Sequence, residues 1–555
     1  MHMQLRKVTT IGARVAIAAV IAIAAVSFVR APSEAQANKD ADPPRSTSPV
    51  GAPPEEQATR DADPPRSTNP VGAPPEQQAN EETNPPRSAK AIPNPELRRL
   101  EMSAEAWTGD FDGMLQRRSI RFYVPYSRSL YFVDQGRERG ISASLFREFE
   151  RWINKKYARQ LGKIPLTVFM VPATRDTMRS ALLEGHADVA VGNIKVLDEL
   201  QKDLDFVAPD DTATSTEIIA TGPASPAIES VGDLSGKTVH VRKTSTYYLS
   251  LSRVNAQFEQ DGKPKAKIVL VPEALEDEDM LEMLDVGLLQ AIVVDDWKAK
   301  AWAQLLPNVK LHQDVVLRPK TKVGWAIRKE SPKLAAELNE FYGQLAKQLG
   351  TMGTRLERDF MPKIKAMKNA TASDDHKRFE DVIAHFTKYG DQYKFDHLML
   401  AAQGYQESRL DQRARGPTGA IGIMQVMPAT GAELGVGDVS QVESNIHAGA
   451  KYMDLLLTKY FPDATFNEEN RTLFAFASYN AGPGNIAKMR AEAEKRRLDP
   501  NQWFNNVEIV TSEKIGMETT TYVRNIFKYY VAYRLTADAR AEGDKLKQEI
   551  GSAKQ

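Results

Sequence analysis

Six short runs of β-branched and aromatic residues punctuate the chain between Leu115 and Met361. They are "IRFYVPY" from Ile120, "LTVFMV" from Leu166, "ADVAVGN" from Ala187, "KTVHVR" from Lys237, "AKIVLV" from Ala266 and "QAIVVD" from Gln290. Each has the length of a strand and is too short for a stable helix. Between them lie segments whose apolar residues recur every three or four positions, such as "ISASLFREFERWINKKY" from Ile141 and "PKLAAELNEFYGQLAKQL" from Pro332. Strands alternating with helices predict parallel sheets in an α/β fold. Beyond the polar junction "MKNATASDDHK" (Met367 to Lys377) no strand series continues, and the pattern turns helical. The last stretch, from Thr536, is charged and Ala-rich and reads as a solvated tail helix.

Within the helical part, Phe395, Leu398, Met399, Ala402 and Tyr405 form one apolar stripe. Leu400, Gln403, Gly404 and Glu407 form a second line about opposite. A helix apolar on more than one face is a central one, which places Glu407 near the end of a buried helix. A lone helical glutamate is usually a solvated one; the other reading is an acid held in a cleft. Gly404, one turn earlier, costs about 1 kcal/mol relative to alanine, and a close approach of another group would explain it.

The following segment, "GPTGAIGIMQVMPATG", supplies Gly416, Gly419 and Gly422 for tight turns and Pro428 for the first turn of another helix. Gln425, between Met424 and Val426, offers a donor and an acceptor in an apolar wall. Such a wall suits a neutral, hydrogen-bond-rich polymer such as a sugar chain. "FAFASYNAGPGNI" from Phe474 ends an apolar helix in Tyr479 and Asn480, a phenol and an amide able to orient a carboxyl group and a ligand amide. Either residue alone is also common before a glycine turn.

Composition narrows the chemistry. The 555 residues contain no cysteine, which removes thiol catalysis, Cys-ligated zinc, disulfides and an acylated N-terminal cysteine. Lys+Arg and Asp+Glu both number 73, so no global basic field argues for nucleic acid. Near the N-terminus, Arg6, Lys7 and Arg14 precede the apolar run "VAIAAVIAIAAVSFV" (Val15 to Val29), and Ala35-Gln36-Ala37 would permit cleavage. The run fits a signal-peptide core better than the roughly 20 residues of a membrane span, with a retained anchor as the other reading. Either places the rest of the chain outside the cytoplasm, in the periplasm or cell envelope. "DADPPRSTSPVGAPPEEQA" from Asp40 then returns as "DADPPRSTNPVGAPPEQQA" from Asp61. A repeat so rich in proline and poor in large apolar residues predicts an extended, disordered tether.

Taken together, the residues of the helical part resemble the lysozyme-like (SLT) domain of family 1 lytic transglycosylases. The family's Glu-Ser appears as Glu407-Ser408, its Gly-Leu-Met-Gln as Gly422-Ile423-Met424-Gln425, and its Ala-Tyr-Asn as Ser478-Tyr479-Asn480 followed by Ala-Gly-Pro-Gly; a later Tyr-Val is Tyr522-Val523. Only Ile423 and Ser478 depart, both by small changes. The middle region, through "ALLEGHADVAVGN", "DLSGKTVHVRKTSTYYL" and "QAIVVDDW", is similar to the family 3 periplasmic solute-binding fold. Joined in this order, the two look like the membrane-bound lytic transglycosylase F group.

The resemblance implies a multidomain chain: a signal peptide or anchor (1–37), the proline-rich linker (38–100), a two-lobed α/β binding-protein-like regulatory domain (101–365), a connecting segment (366–390), a mainly α catalytic domain (391–535) and a charged tail (536–555). It implies Glu407 as the catalytic acid, with Ser408, Gly422, Met424, Gln425, Tyr479, Asn480 and Tyr522 binding substrate or orienting Glu407. Tyr479 and Tyr522 are the orienting candidates, and Gln425 and Asn480 would hold the sugar amide. The substrate implied is peptidoglycan glycan, with no cofactor and no metal.

In the binding-protein half, the arginine-bearing stretch that grips a ligand carboxylate in amino-acid binders is replaced by Leu197-Asp198-Glu199-Leu200. Asp295, matching the family's amine-binding aspartate, remains. Asp295, Ser245 and Thr246 are therefore the candidates for a regulatory ligand such as a muropeptide or cell-wall peptide. A strand-end cap is the plainer reading of Asp295. A hydrolytic lysozyme-type muramidase and a non-catalytic cell-wall sensor are the rival functions. For the acid, burial in an apolar cleft predicts a raised pKa.

Overall fold

The computed structural model describes residues 106–208, 214–345 and 373–552; the expected leader, the proline-rich linker and the first part of the connecting segment lie outside them. All six runs are strands: β1 (Ser119–Pro125), β4 (Thr167–Ala173), β5 (Val189–Lys195), β8 (Thr238–Arg242), β9 (Lys267–Val271) and β10 (Ala291–Asp295). The hairpin β2–β3 (Phe132–Asp134 and Arg137–Arg139), β6 (Leu204–Val207), β7 (Thr214–Thr221) and β11 (Lys310–Arg328) are additional.

In one lobe β1 lies between β4 and β5, all parallel. In the other, β8 lies parallel between β9 and β10. The parallel expectation thus holds for both centres and fails where the chain passes between them. β11 runs antiparallel to β7 through residues 310–322 and antiparallel to β5 and β6 through residues 323–328, so one strand serves both lobes. Its sequence, "KLHQDVVLRPKTKVGWAIR", carries a proline, several charges and three register shifts along β7. The period of two is lost there, and with it the sequence signal for a strand.

Each lobe has its own core. Phe122 on β1 meets Phe146 and Phe149 of α1 (Ile141–Lys156) at 5.1 and 5.5 Å between ring centroids, and Trp325 of β11 at 5.3 Å. In the second lobe Ile219, Val239, Val241 and Val293 pack with Tyr247 and Leu251 of α2 (Thr246–Gln260).

One helix breaks the rule that charges stay outside. α3 (Asp277–Asp285, "DEDMLEMLD") is buried at every residue, a state that ionised carboxylates tolerate only when paired. Asp277 takes Arg242 at 2.6 Å and Lys298 at 2.8 Å from its own lobe. Glu282 and Asp279 take Arg128 of the first lobe at 2.8 and 2.9 Å. Two further partners, Arg524 on Asp279 at 3.0 Å and Lys528 on Glu282 at 2.5 Å, come from the C-terminal helix. Three parts of the chain therefore meet on one acidic helix.

The helical part continues, after α4 (Pro332–Leu345) of the first lobe, with α5 (Ser373–Tyr393), α6 (His397–Ser408), α7 (Pro428–Leu434), α8 (Val442–Tyr460), α9 (Glu468–Ala481), α10 (Pro483–Lys495), α11 (Glu508–Lys514) and α12 (Met517–Ser552). Residues 373–390, expected as connection, are helix, and Val382, Phe386 and Tyr389 bury their side chains with those of α6. The tail from Thr536 is the continuation of α12, and its residues 537–541 are exposed. Hairpin β2–β3 of the first lobe touches this part too: the Gln135 N–H donates to the Ser512 carbonyl at 3.0 Å, and the Met517 N–H, at the start of α12, to Asp134 Oδ1 at 3.1 Å. Among the described residues no helix is long and apolar enough to cross a membrane.

Candidate active site

α6 begins on Asp396, whose Oδ1 accepts the Leu398 N–H at 2.7 Å, and stops where Arg409 and Leu410 turn left-handed (φ 59° and 60°). Such an ending exposes the last turn, and Glu407 is its penultimate residue. The helix is buried from Met399 through Tyr405, as its two apolar lines require. Gly404 is explained by crowding: a Cβ there would lie 2.9 Å from Ile423 Cγ2, 3.0 Å from Phe386 Cζ and 3.1 Å from Leu410 Cδ2. The glycine lets the loop carrying Ile423 sit directly on the helix.

Tyr522, on α12, donates its hydroxyl to Glu407 Oε1 at 2.5 Å, and Gln403 Nε2 reaches the same phenol oxygen at 3.4 Å. Burial pushes the Glu407 carboxyl up to about 7, and the Tyr522 hydrogen bond, which favours the ionised form, works against that rise. Raised in this way, the carboxyl keeps a protonated form at pH values where an ordinary glutamic acid has lost it. It can give a proton and, once ionised, take one back.

The loop after α6 is tied down bond by bond. Ser408 Oγ donates to the Ile423 carbonyl at 2.9 Å. Gly422 adopts φ 78°, and a Cβ there would come within 2.5 Å of Asn445 Nδ2, so the position requires glycine. The Asn445 amide of α8, fully buried, accepts the Met424 N–H at 2.8 Å and donates to the Ile421 and Val439 carbonyls at 2.8 and 2.9 Å. Tyr479, at the end of α9, donates to the Met424 carbonyl at 2.8 Å. Gln425 holds φ 47° and donates Nε2 to the Gly422 carbonyl at 2.9 Å. Asn480 Oδ1 accepts the Thr519 hydroxyl at 2.7 Å.

The structure therefore links Glu407 to Tyr522, Ser408 to the 421–426 loop, and Met424 to Tyr479. It separates the two orienting candidates: Tyr479 is bound to the loop backbone, and among the described residues only Tyr522 hydrogen-bonds the Glu407 carboxyl. Asp411 is not a helix neighbour of Glu407, because α6 ends at Ser408; burial would raise its pKa, but the hydrogen bonds of Arg413 outweigh that and hold it below the usual carboxylate range. A carboxylate so held is a poor acid. Gln403, Asn445 and Thr519 were not singled out for function by sequence. Gln403 had a signal, an amide on the same helical line as Glu407. Asn445 and Thr519 had none, since the site residues they bind, Met424 and Asn480, lie 21 and 39 residues away.

In the two-lobed α/β half, Asp295 and Thr246 come together, but around an ammonium belonging to the chain. Lys195 Nζ, at the end of β5, lies 2.7 Å from Asp295 Oδ1, 3.0 Å from Glu217 Oε1 and 3.1 Å from Thr246 Oγ1; Asn193 donates to the other Asp295 oxygen at 2.8 Å. Asp295, at the end of β10, thus meets Lys195 and Asn193 of β5, and its side chain makes no cap of the helix that follows it. Ser245 stays apart: its hydroxyl donates to the Arg242 carbonyl at 2.7 Å and accepts the Tyr248 N–H at the start of α2.

Residues 384–502 match the model of the Transglycosylase SLT domain. The match takes in Glu407, Gln425, Tyr479 and Asn480 and ends before Tyr522. Over longer stretches the chain is similar to proteins named membrane-bound lytic murein transglycosylase F. The one from Desulfosudis oleivorans is 27% identical across 69% of this chain and 84% of its own length. One from Pseudomonas fluorescens is 26% identical across 77% and 87%, and that of Vibrio parahaemolyticus 28% across 53% and 57%. Among solved structures, an ancestral amino acid-binding protein described as a precursor of cyclohexadienyl dehydratase is 23% identical, with 45% of this chain and 98% of that chain covered and a TM-score of 0.35. The arginine-bound, truncated arginine-binding protein of T. maritima is 23% identical over 42% and 100%, with a TM-score of 0.34.

Proposed function

We infer that the chain, a lytic murein transglycosylase with a two-lobed binding-protein-like module ahead of its SLT domain, cleaves the β-1,4 bond between N-acetylmuramic acid and N-acetylglucosamine with Glu407 as its single acid and base. The observation that carries this reading is the state of Glu407, a carboxyl pushed to about 7 by burial and met by the Tyr522 hydroxyl. Glycosidases with two carboxylates divide the work between an acid and a nucleophile or base. Asp411, the nearest carboxylate in sequence, is held ionised by Arg413 and cannot share the proton.

In the proposed cycle protonated Glu407 gives its proton to the glycosidic oxygen, and the C1–O bond to the leaving N-acetylglucosamine breaks. The neighbouring acetamido oxygen stabilises the cation at C1. The Glu407 carboxylate then takes the proton of the muramyl 6-hydroxyl as that oxygen bonds to C1. The product carries a 1,6-anhydro ring, no water is consumed, and Glu407 ends protonated as it began. Gln425 and Asn480 hold the sugar amide, and Ser408, Gly422 and Met424 build the wall that carries Gln425. Mass spectrometry of soluble products from purified sacculi tests this reading. Anhydromuramyl ends are expected; reducing ends throughout would make the protein a hydrolytic muramidase, and no release of fragments would make it a glycan-binding sensor.

Tyr522→Phe gives a second, directional test. Loss of the phenol donor removes what favours the ionised form of Glu407, so its pKa rises above about 7. The alkaline limb of the pH–rate profile, where the acid is lost, is expected to move to higher pH. The rate falls by about 10- to 100-fold, the worth of one hydrogen bond to a charged group. An unmoved alkaline limb would separate Tyr522 from the proton on Glu407.

The cell envelope, outside the cytoplasm, is the location this substrate requires, with membrane association where the N-terminal segment is retained as an anchor rather than cleaved. A muropeptide or cell-wall peptide is the ligand class read for the lobes. To bring an amine to Asp295 it must displace the Lys195 ammonium.

A further inference from the structure

The Lys195 ammonium is enclosed as a bound amine would be. It stands 2.7 Å from Asp295 Oδ1, 3.0 Å from Glu217 Oε1 and 3.1 Å from Thr246 Oγ1, and 4.9 Å from the centroid of the Tyr247 ring. Carboxylates, a hydroxyl and an aromatic face are the groups that hold a desolvated ammonium. Lys195 is 5% exposed, Glu217 0% and Asp295 6%, so solvent screens little of the attraction. Burial would lower the Lys195 pKa, but Asp295 and Glu217 outweigh it and hold the group above its usual value. Arg318 reaches Glu217 Oε1 at 3.3 Å, so two cations already face the two carboxylates. A further ammonium entering there would be in excess.

The lysine and its partners come from different lobes. Lys195 ends β5 in the first, whereas Glu217 of β7, Thr246 and Tyr247 of α2 and Asp295 of β10 belong to the second. The fold also needs those lobes together. Ser127 Oγ of the first lobe donates to Glu278 at 2.7 Å, and Arg128 pairs with Asp279 and Glu282, so lobes moving apart would strip the buried helix α3 of these partners. A module closed only by a free ligand would leave those carboxylates short of partners whenever it was empty.

We propose that Lys195 is a built-in ligand: its ammonium fills a primary-ammonium site made by Asp295, Glu217, Thr246 and Tyr247 of the opposite lobe, and the lobes are closed with no free ligand bound. An amine-bearing ligand of the class read for the lobes therefore meets an occupied site. The inference concerns the lobes alone and does not depend on the glycan-cleaving reading.

The test uses the full chain carrying Lys195→Ala, with propylamine as the probe, because it restores the carbons and the ammonium removed beyond Cβ. The variant is expected to melt several degrees below the parent and to regain stability as propylamine is added, since a ligand that binds the folded state raises its melting temperature. Propanol, equally long and uncharged, is expected to do nothing, and the parent is expected not to respond to propylamine. Adding Asp295→Asn to the variant is expected to raise the propylamine concentration for half the effect about tenfold or more, the worth of a hydrogen bond to a charged group. Should Lys195→Ala not fold alone, propylamine present during refolding is expected to recover it, and propanol is not. The chain has no cysteine, so spin labels can be placed at Ala158→Cys and Ala256→Cys, exposed positions in the first and second lobes. A single narrow distance is expected in the otherwise unchanged parent with nothing added. The proposal would be overturned by a parent stabilised by propylamine as much as the variant, by a variant indifferent to propylamine or served equally by propanol, or by a broad distance distribution in the parent. None of these readouts depends on which ends sacculus digestion yields.

Discussion

Purified sacculi incubated with Glu407→Gln are expected to release no measurable 1,6-anhydromuropeptide, while the variant melts close to the parent. The substitution keeps the size of the side chain and its ability to accept the Tyr522 hydrogen bond, and removes only the exchangeable proton. General acid–base catalysis by one group is worth typically 10²–10⁴-fold, and here the same group serves both half-cycles, so the loss should lie at or beyond the upper end. Because Glu407 is pushed to about 7 at the end of a buried helix, its charge opposes folding. Its folded pKa is above the ordinary carboxyl value, so the parent loses stability as pH rises from about 4.5 through about 7. The amide has no such cost, and Glu407→Gln should be slightly more stable than the parent at pH 8. Undiminished release by the variant would remove Glu407 from the chemistry.

Arg524→Leu is expected to destabilise the protein by about 3–5 kcal/mol, the range found when one partner of a buried ion pair is deleted. The guanidinium donates to Glu508 Oε1 at 2.6 Å, to Asp279 Oδ2 at 3.0 Å and to the Ala274 carbonyl at 2.8 Å. Asp279 would keep Arg128 and Lys528. Glu508 would keep only the Asn505 N–H at 3.2 Å among its hydrogen bonds here. Burial already raises the Glu508 pKa against the pull of Arg524, and without that pull it rises further. A carboxyl with a raised folded pKa loses stability as pH climbs from its ordinary value through the folded one. The penalty of Arg524→Leu should therefore be largest at neutral pH and shrink in acid, read as the denaturation midpoint at pH 5 and pH 8. A penalty independent of pH would point to lost packing over Phe504, whose ring lies 5.2 Å from the guanidinium.

How far the fold was legible follows the rule that local patterns report local structure. The six strands with a run of β-branched residues were readable because each run has strand length and strand composition and each has a parallel neighbour. β7 and β11 were not: their pairings are antiparallel, and β11 changes lobes midway through a segment with a proline and charges at its centre. The acidic helix α3 has the pattern of a surface segment and is wholly inside. Arg242 and Lys298 of its own lobe serve Asp277, but Asp279 and Glu282 depend on partners 151 or more residues upstream and about 246 downstream. Nothing in "DEDMLEMLD" announces them.

The same division runs through the site. By itself the sequence placed Glu407 at the end of an apolar helix, asked for a close approach at Gly404 and a tight turn at Gly422, and set Gln425, Tyr479 and Asn480 beside glycine-rich turns; these follow from helical periodicity and from the conformations open to glycine. That they and Tyr522 gather around Glu407 is what the family resemblance implies. Tertiary structure decided which of these groups meet. Tyr522 rather than Tyr479 hydrogen-bonds the acid, the Thr519 hydroxyl meets Asn480, and Lys195 lies beside Asp295. A hydrogen bond depends on distances of a few tenths of an ångström between residues as many as 115 apart, and the packing of whole helices, not the order of residues, sets those distances.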